Sequence, residues 1–205
     1  MKKACFVGIC LGICGLAQAV TINAPSSLTG YQVLNGANAY SWGIPISLTT
    51  GQTINSATIS FSSVTLNVAG SSGHGYLYTD LLNLNSGGVK SYYDGDAPGD
   101  YFASAYPAST VTSVGAKYFA SAGTTLSWDY ILNASQLTVL NSYVTNGLFD
   151  LGFDPDCHFS VGGITFSYTT ITAHTQVPDG ATTALLLGTS LLGLAFVRRK
   201  LAANR

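Results

Sequence analysis

The central part of this chain lacks two of the commonest charged residues. Between residues 20 and 176 there is no glutamate and no arginine, and the only basic side chains are Lys90 and Lys117. The acidic residues of this window are eight aspartates, so its net charge is negative. A negatively charged domain without arginine repels phosphate backbones. We therefore exclude nucleic acid as a partner, and anionic lipid head groups on the same ground.

Cysteine is also scarce. Three of the four cysteines lie in the first 14 residues, which leaves Cys157 alone in the central window. A single cysteine cannot form an intrachain disulfide, even in an oxidising compartment. A transition-metal centre needs three or four converging ligands, and the remaining candidates are few: His74, His158 and His174.

The N-terminus has the pattern of a secretory signal peptide. Lys2 and Lys3 precede an apolar run that is too short for a stable membrane span. An A-x-A motif then marks a cleavage point through Ala17, Ala19 and Val20. We expect residues 1–19 to be removed during export by the secretion machinery. A lipoprotein signal ending at Cys14 is the alternative, but Ile13 fits poorly where such signals have a small residue.

The C-terminus combines chain breakers, an apolar run and a basic cluster. The run 181–197 is 17 residues long, so as a helix it would span about 25 Å, slightly less than the roughly 30 Å hydrocarbon core. It is thus predicted to be a marginal transmembrane helix, with a buried helix of a soluble domain as the alternative. The flanking residues are Val177, Pro178, Asp179 and Gly180 before the run, and Arg198, Arg199 and Lys200 after it. The basic cluster should stay cytoplasmic, with the rest of the chain outside.

This tail resembles a protein-sorting signal of the PEP-CTERM type, in its VPDSG variant. The resemblance covers residues 177–205 and implies recognition by an exosortase, a membrane cysteine protease. The exosortase would remove the tail after transient anchoring in the inner membrane. The protein would then reach the surface or extracellular matrix of a Gram-negative bacterium. One departure is that Gly180-Ala181 stands where the variant usually has Ser-Gly.

The composition of residues 20–176 predicts an all-β ectodomain. Ser, Thr, Gly, Asn, Tyr and Val dominate, and good helix formers are nearly absent. Many short strand-like runs without a βαβ rhythm favour an antiparallel β-sandwich that is jelly-roll-like. The predicted strands are 44–49, 57–68, 75–84, 111–121, 125–132, 147–153 and 163–172. One short helix or 3₁₀ turn is expected at 135–144, capped by Ser135.

Three strand details follow from the same patterns. Pro45 should place the first strand at a sheet edge. The Ser62-Ser63 pair shifts the hydrophobic alternation by one residue, which predicts a bulge in a long strand. In the strand 147–153 we expect three apolar side chains in the core and Asp150 facing solvent.

An acidic loop is predicted at residues 152–159, between the last two strands. Asp154 and Asp156 are separated by Pro155, and their carboxylates are hard oxygen ligands of the kind that Ca²⁺ prefers. The alternative is that both accept backbone N–H bonds in an Asx-type turn. Cys157 and His158 are neighbours, and adjacent residues in an extended chain do not form a nucleophile pair. Cys157 is therefore interpreted as a small buried residue and His158 as a loop cap.

A second acidic loop combines aspartates with tyrosines on a Gly-rich stretch. Tyrosine rings stack on the apolar faces of sugars while carboxylates accept hydroxyl protons, so this loop is a candidate ligand site. Its candidate residues are Tyr92, Tyr93, Asp94, Asp96, Asp100 and Tyr101. The spacing does not match a calcium-loop motif, and a solvated connector is the alternative.

Three classes of function remain. The first is a structural or adhesive component of the exopolysaccharide matrix, and the second is a lectin-like carbohydrate-binding module, stabilised by Ca²⁺ in one version. The third is a secreted hydrolase. No Ser-His-Asp or HExxH signature is present, and no pair of aspartates is marked as catalytic by the sequence. We therefore expect no enzymatic activity.

Overall fold

Strands make up most of residues 18–172, as the β-branched and hydroxyl-rich composition predicts. The structure is a computed structural model that describes residues 18–68, 75–95 and 97–172, with Leu185, Leu187, Thr189, Arg198 and Arg199 in the tail. The chain divides into two units, residues 1–172 and residues 173–205. The strands of the first unit are β1 Gln18–Asn23, β2 Gly30–Leu34, β3 Asn38–Pro45, β4 Gln52–Val68, β5 Tyr76–Leu82, β6 Gly88–Tyr93, β7 Val111–Tyr118, β8 Thr125–Ile131, β9 Leu148–Pro155 and β10 His158–Thr172.

The strands form two antiparallel sheets. In the first sheet the order is β1-β10-β4-β8, and β2 also pairs with β10. In the second sheet the order is β6-β3-β9-β5-β7. The predicted β-sandwich is confirmed. Each sheet places late strands between early ones, an order compatible with the jelly-roll-like topology expected from the sequence.

The core lies between the two sheets and is filled by alternate residues of each strand. Phe149, Leu151 and Phe153 of β9 are fully buried there, as the alternation predicts. Phe61 of β4 packs edge-to-face against Phe153 from the opposite sheet, with ring centroids 5.8 Å apart. Such aromatic pairs add to the stabilisation that comes from burying apolar area.

Two strand predictions have opposite outcomes. The bulge at Ser62-Ser63 is confirmed, because the pairing of β4 with β8 shifts between Phe61 and Val64 and Ser63 has a φ of 48°. The edge position predicted from Pro45 is wrong, since β3 lies between β6 and β9. Pro45 ends β3 beyond the last residue that pairs with β6, so its missing N–H breaks no hydrogen bond in the sheet.

The described residues include two α-helices, α1 Tyr101–Ala105 and α2 Ala134–Tyr143, and short 3₁₀ turns at Ser26–Leu28 and Val144–Asn146. The helix predicted at 135–144 is confirmed as α2. Its cap is Asn133 and not Ser135: the Asn133 side chain accepts from the backbone N–H of Gln136, and Gln136 accepts in return. Ser135 instead donates to Asn133.

The two chain ends fall mostly outside the described residues. Among the predicted cleavage residues, Ala19 and Val20 lie in β1 and Ala17 is not described. In the tail, Leu185, Leu187 and Thr189 have helical backbone, as do Arg198 and Arg199. Within the described part of the chain, no helix has the length and apolar character needed to cross a membrane. The predicted membrane helix at 181–197 therefore stays a prediction.

Candidate functional site

The connection from β6 to β7 crosses the outer face of the second sheet. This segment, residues 94–110, is called the crossover below, and it contains α1. Its anchor is Phe102, which is fully buried. Gly152 of β9 makes room for it, because a Cβ at this position would lie 2.9 Å from the Phe102 ring. The crossover therefore covers a face that the sequence pattern marks as the outside of the sandwich.

Three aspartates of the second sheet are fully buried, although strand alternation points them away from the core between the sheets. Asp80, Asp150 and Asp154 have no solvent-exposed surface. The expectation that Asp150 faces solvent is therefore wrong. The carboxylate of Asp150 accepts hydrogen bonds from the backbone N–H and the hydroxyl of Ser86. Asp150 is thus satisfied locally by the β5–β6 loop.

The predicted metal pair holds the crossover in place. Asp154 accepts a hydrogen bond from the backbone N–H of Tyr101 at 2.6 Å, and Asp156 accepts one from Gly99 at 3.2 Å. These residues were expected in a loop, but β9 continues to Pro155, so Asp154 and Pro155 lie in the strand. The structure therefore brings the two acidic stretches together, which their separation in the sequence does not reveal.

Asp80 is the residue that sequence reasoning missed at this place. Neither of its carboxyl oxygens has a hydrogen-bond partner of regular geometry among the described residues. Burial is the main cause that raises the pKa of Asp80 to about 8, and the nearby carboxyl of Asp100 adds to it. The side chain of Ser113 lowers the pKa of Asp80 and so opposes part of this rise. Asp80 follows Tyr76 and Tyr78 at alternate positions of β5, a signal that places all three on one face.

Asp154 shares this environment. Burial raises the pKa of Asp154 to about 7, the hydrogen bond from Tyr101 opposes the rise, and other carboxylates increase it. Asp100 caps α1 by accepting from the backbone N–H of Ala103. We call Asp80, Asp100 and Asp154 the carboxylate cluster; Asp94 and Asp156 also act on the pKa of Asp154. Desolvation and mutual repulsion both favour protonation here.

The cluster is not a preformed metal centre. Among the described residues, no group of three or more His, Cys, Asp or Glu side chains is arranged to hold a metal ion. Asp96 belongs to the predicted ligand loop and lies outside the described residues. The calcium assignment to Asp154 and Asp156 therefore stays a prediction.

Only part of the tyrosine surface in the predicted sugar-binding loop is exposed to a ligand. The rings of Tyr92 and Tyr101 are half-buried, lie 6.0 Å apart and pack edge-to-face on Phe102. The Tyr92 hydroxyl also lies 3.3 Å from that of Ser41. Tyr93, in contrast, is 81% exposed. The structure thus uses two of the three candidate rings to hold the crossover.

A second set of tyrosines lies on the same outer face, on β5 and on the edge strand β7. Tyr76 and Tyr78 stack with centroids 5.8 Å apart, and Tyr118 of β7 lies 4.9 Å from Tyr76. We call these three the tyrosine strip. Burial raises the pKa of Tyr78 to about 12, and the nearby Asp156, Tyr76, Asp100 and Asp154 add to the rise. The strip is therefore adjacent to the carboxylate cluster, a combination that only the pairing of β5 with β7 reveals.

Cys157 and His158 lie at the connection from β9 to β10. Cys157 is buried, which confirms the prediction for the thiol. His158 is half-buried and is the first residue of β10, directly after the loop, and its predicted role as a loop cap stays a prediction. Cys157 lies in the bend between β9 and β10, directly before His158.

An open groove of about 580 Å³ lies beside α2 and does not add a site. Its lining contains no ionisable side chain: Ile46, Ser47, Leu48, Gln52, Thr53, Asn141, Val144, Thr145 and Gly147. Asn141 already exchanges hydrogen bonds with the backbone of Ile54. The groove therefore has no charged side chain with which to bind a ligand.

Comparison with known families identifies the tail. Residues 176–201 match the VPDSG-CTERM motif, a sorting signal of the PEP-CTERM type that an exosortase processes. The recognition made from the residues is thus confirmed, despite Gly180-Ala181 in place of Ser-Gly. Such a signal indicates export and transient membrane anchoring. No curated protein matches the chain.

Proposed function

We propose that this exosortase-sorted surface protein has a structural or adhesive role in the exopolysaccharide matrix and catalyses no reaction. The single observation that carries the proposal is the sorting signal at residues 176–201. Such a signal delivers the protein to the cell exterior, where polysaccharide is an abundant partner. The acidic ectodomain suits neutral or hydroxyl-rich partners better than anionic ones.

The burial of the carboxylate cluster supports a role without catalysis. A glycosidase needs two carboxyl groups on either side of a substrate cleft, one of them with a raised pKa. Asp80 and Asp154 have raised pKa values but lie fully beneath the crossover. A polysaccharide chain has no access to them while the crossover is in place. A secreted hydrolase is thus the least supported of the three classes.

Localisation tests the leading proposal. The full chain should reach the cell surface or the matrix, whereas a chain without residues 177–205 should be released into the medium. Mass spectrometry of the surface form should show a C-terminus within or before the matched motif. Surface retention of the truncated chain, or an intact tail on the mature protein, would contradict the proposal.

Carbohydrate binding by a lectin-like module is the second candidate, and the tyrosine strip is the observation that favours it. Its three rings lie against one another on an outer face of the sandwich, and Tyr118 is 48% exposed. The strip is a better platform than Tyr92 and Tyr101, whose rings pack on Phe102.

A glycan array distinguishes the two candidates. If the protein is a lectin, Tyr76→Ala and Tyr118→Ala should each reduce binding to a specific glycan about tenfold, the loss expected for one stacking contact of about 1 to 1.5 kcal/mol. Tyr31→Ala is the matched control, because Tyr31 is 78% exposed on β2 of the first sheet. Equal binding by all variants would contradict a lectin activity of the tyrosine strip. The structural role would then be the remaining proposal.

A further inference from the structure

The predicted cleavage point of the signal peptide lies inside a paired β-strand. β1 Gln18–Asn23 runs antiparallel to β10, and the register pairs Ala19 with Thr169 and Val20 with Tyr168. The bond to be cleaved, between Ala19 and Val20, is therefore part of the first sheet in the folded domain. In the sequence the signal peptide and the ectodomain are separate segments, whereas in the structure they share this strand.

The side chains of β1 divide at the same point. Val20 and Ile22 are half-buried and pack against the core between the sheets, whereas Gln18 and Ala19 are exposed. A chain that begins at Val20 therefore keeps both side chains with which β1 reaches the core. Removal of the signal peptide takes from the domain only the exposed end of the strand.

β1 is held to β10 by contacts beyond its own ladder. Directly after the strand, the backbone N–H of Ala24 donates to the carbonyl of Ile164 at 2.8 Å. On the outer face, the hydroxyls of Thr21 and Ser167 lie 2.9 Å apart. A protease acts on a segment that has left its hydrogen-bonded partner, so the cleavage rate follows the population in which β1 is undocked. Docking of β1 on β10 therefore protects the bond between residues 19 and 20.

The partner of β1 is the last strand of the ectodomain to be made. Thr21 and Ser167, which face each other in the sheet, are 146 positions apart in the chain. Because synthesis starts at the N-terminus, β1 has no partner until almost the whole ectodomain has followed it. This interval is the period in which the cleavage point is open.

We infer that removal of the signal peptide has to precede the docking of β1 on β10, because folding of the ectodomain closes the cleavage point. This order of events is independent of the role proposed above and depends on the predicted cleavage after Ala19. The tail has a different relation to folding, since the matched residues 176–201 come after the last strand, β10. Only the N-terminal cleavage therefore competes with folding.

The order matters because both junctions lie at the same end of the first sheet. Gln18 pairs with Thr170, two residues before β10 ends at Thr172 and the tail begins. A domain that folds before the N-terminal cleavage keeps its signal peptide, and removal of the tail alone does not release it. Signal-peptide removal from the open chain is thus a condition for release from the membrane.

Cleavage of the full-length precursor by purified signal peptidase in detergent tests this order. Precursor diluted from urea directly into the peptidase should be cleaved after Ala19 at least about tenfold faster than precursor that refolds before the enzyme is added. Mass spectrometry identifies the new N-terminus. Equal rates would mean that the enzyme cleaves β1 in place, and would overturn the inference. A new N-terminus outside β1, or no cleavage of the unfolded chain, would do the same.

A covalent lock between the two strands tests the need for undocking. Thr21→Cys and Ser167→Cys place two thiols at directly opposed positions, a spacing that suits a disulfide. The precursor for this test also carries Cys5→Ala, Cys10→Ala and Cys14→Ala, so that no thiol of the signal peptide competes. After refolding, the oxidised form should be cleaved at least about tenfold more slowly than the same protein in dithiothreitol. Thr21→Cys alone is the control and should be cleaved equally in both conditions. Equal rates for the oxidised and reduced lock would overturn the inference.

A variant that loosens β1 should have the opposite effect. Ile22→Asn removes an apolar side chain that packs against the core and leaves residues 17–20 unchanged. After refolding, this precursor should be cleaved at least about fivefold faster than the unmodified one, because β1 is undocked more often. Thr21→Val is the matched control, since Thr21 is exposed on the outer face, and its rate should change less than about twofold. An unchanged rate for Ile22→Asn would contradict the inference.

Discussion

The two outer faces of this sandwich come from similar alternating strands but have opposite characters. The outer face of the first sheet is an array of exposed or half-buried hydroxyls that pair across strands, such as Thr65 with Thr125 at 2.7 Å and Ser56 with Thr169 at 2.6 Å. The outer face of the second sheet carries aromatic rings and carboxylates beneath the crossover. One face is in contact with water, while most of the other is a second small core.

The difference shows how a covering segment changes the chemistry of the same strand positions. Asp129 and Asp154 both lie at outward positions of strands, but only Asp154 loses its water because Phe102 and its neighbours are packed above the sheet. Desolvation raises the pKa of the covered carboxyl group. Function that depends on unusual acidity or on ion binding is therefore expected on the second sheet.

Removing the anchor of the cover should have the largest effect. Phe102→Ala should reduce the free energy of unfolding by about 3–5 kcal/mol, because a fully buried ring is lost from the outer core. Urea denaturation of the full chain measures it. Tyr93→Ala is the control on β6, next to Tyr92, and should stay within about 0.5 kcal/mol, since its ring is exposed. Similar losses for both would mean that the crossover does not form a core.

The acidity of the covered face should make stability depend on pH. Burial raises the pKa of Asp80 from 3.8 to about 8, so the folded protein binds this proton more tightly than the unfolded chain. The resulting stabilisation is complete below about pH 4 and is lost as the pH rises toward 8.

Comparison with Asp80→Asn isolates this contribution. In EGTA, between about pH 6 and pH 8, the unmodified protein should lose up to about 1.4 kcal/mol per pH unit more than the variant does. Asp129→Asn should follow the unmodified protein. If urea unfolding gives the same pH dependence of the free energy of unfolding for Asp80→Asn and the unmodified protein, Asp80 does not titrate in this range.

Filling the space between β9 and the Phe102 ring should also destabilise the protein, but less than loss of the ring does. Gly152→Ala should destabilise the protein by about 1–3 kcal/mol, because the added Cβ meets the Phe102 ring and Leu82 at 2.9 Å. Gly163→Ala is the counterpart on the first sheet, where the Cβ meets only the Ser62 hydroxyl. That side chain can rotate away, so we expect a change within about 0.5 kcal/mol. Equal melting temperatures of the two variants would contradict the comparison.

Substitutions on the outer face of the first sheet, where hydroxyls pair across strands, should change the free energy of unfolding least. Thr65→Val removes one side of the pair with Thr125, and its loss should stay below about 1 kcal/mol because water replaces the partner. A double-mutant cycle with Thr125→Val, followed by urea unfolding, measures the coupling between the two hydroxyls. A coupling energy well above 1 kcal/mol would mean that this face also contributes strongly to stability.

Much of the sandwich follows from local patterns. The alternation of β9 predicts Phe149, Leu151 and Phe153 in the core, and the doubled serine at Ser62-Ser63 predicts the bulge. The apolar spacing of 135–144 predicts α2. Each of these depends on neighbours in the chain, so the sequence contains the whole signal. The strands β1, β2 and β6 were not predicted, because short strands with weak alternation depend on their partners for stability.

The candidate site was predicted in pieces. Both acidic stretches and the tyrosines of the first one stand out in the sequence, but the two stretches meet through hydrogen bonds from Gly99 to Asp156 and from Tyr101 to Asp154. Asp80 was missed because its alternation with Tyr76 and Tyr78 assigns it to one face of β5 but does not show that another segment buries it. Asp150 was assigned to solvent because alternation reports which of two faces a residue occupies. It does not report whether another segment covers that face.

The sequence by itself determined the all-β class, the acidic character of the ectodomain and the sorting signal at residues 176–201, because composition and contiguous motifs need no folding to be read. The tertiary structure alone decided which outer face is covered and which carboxylates lose their water. Burial of a side chain depends on segments that are distant in the chain, and β5, β9 and the crossover meet only through long-range pairing. The carboxylate cluster is a product of that pairing.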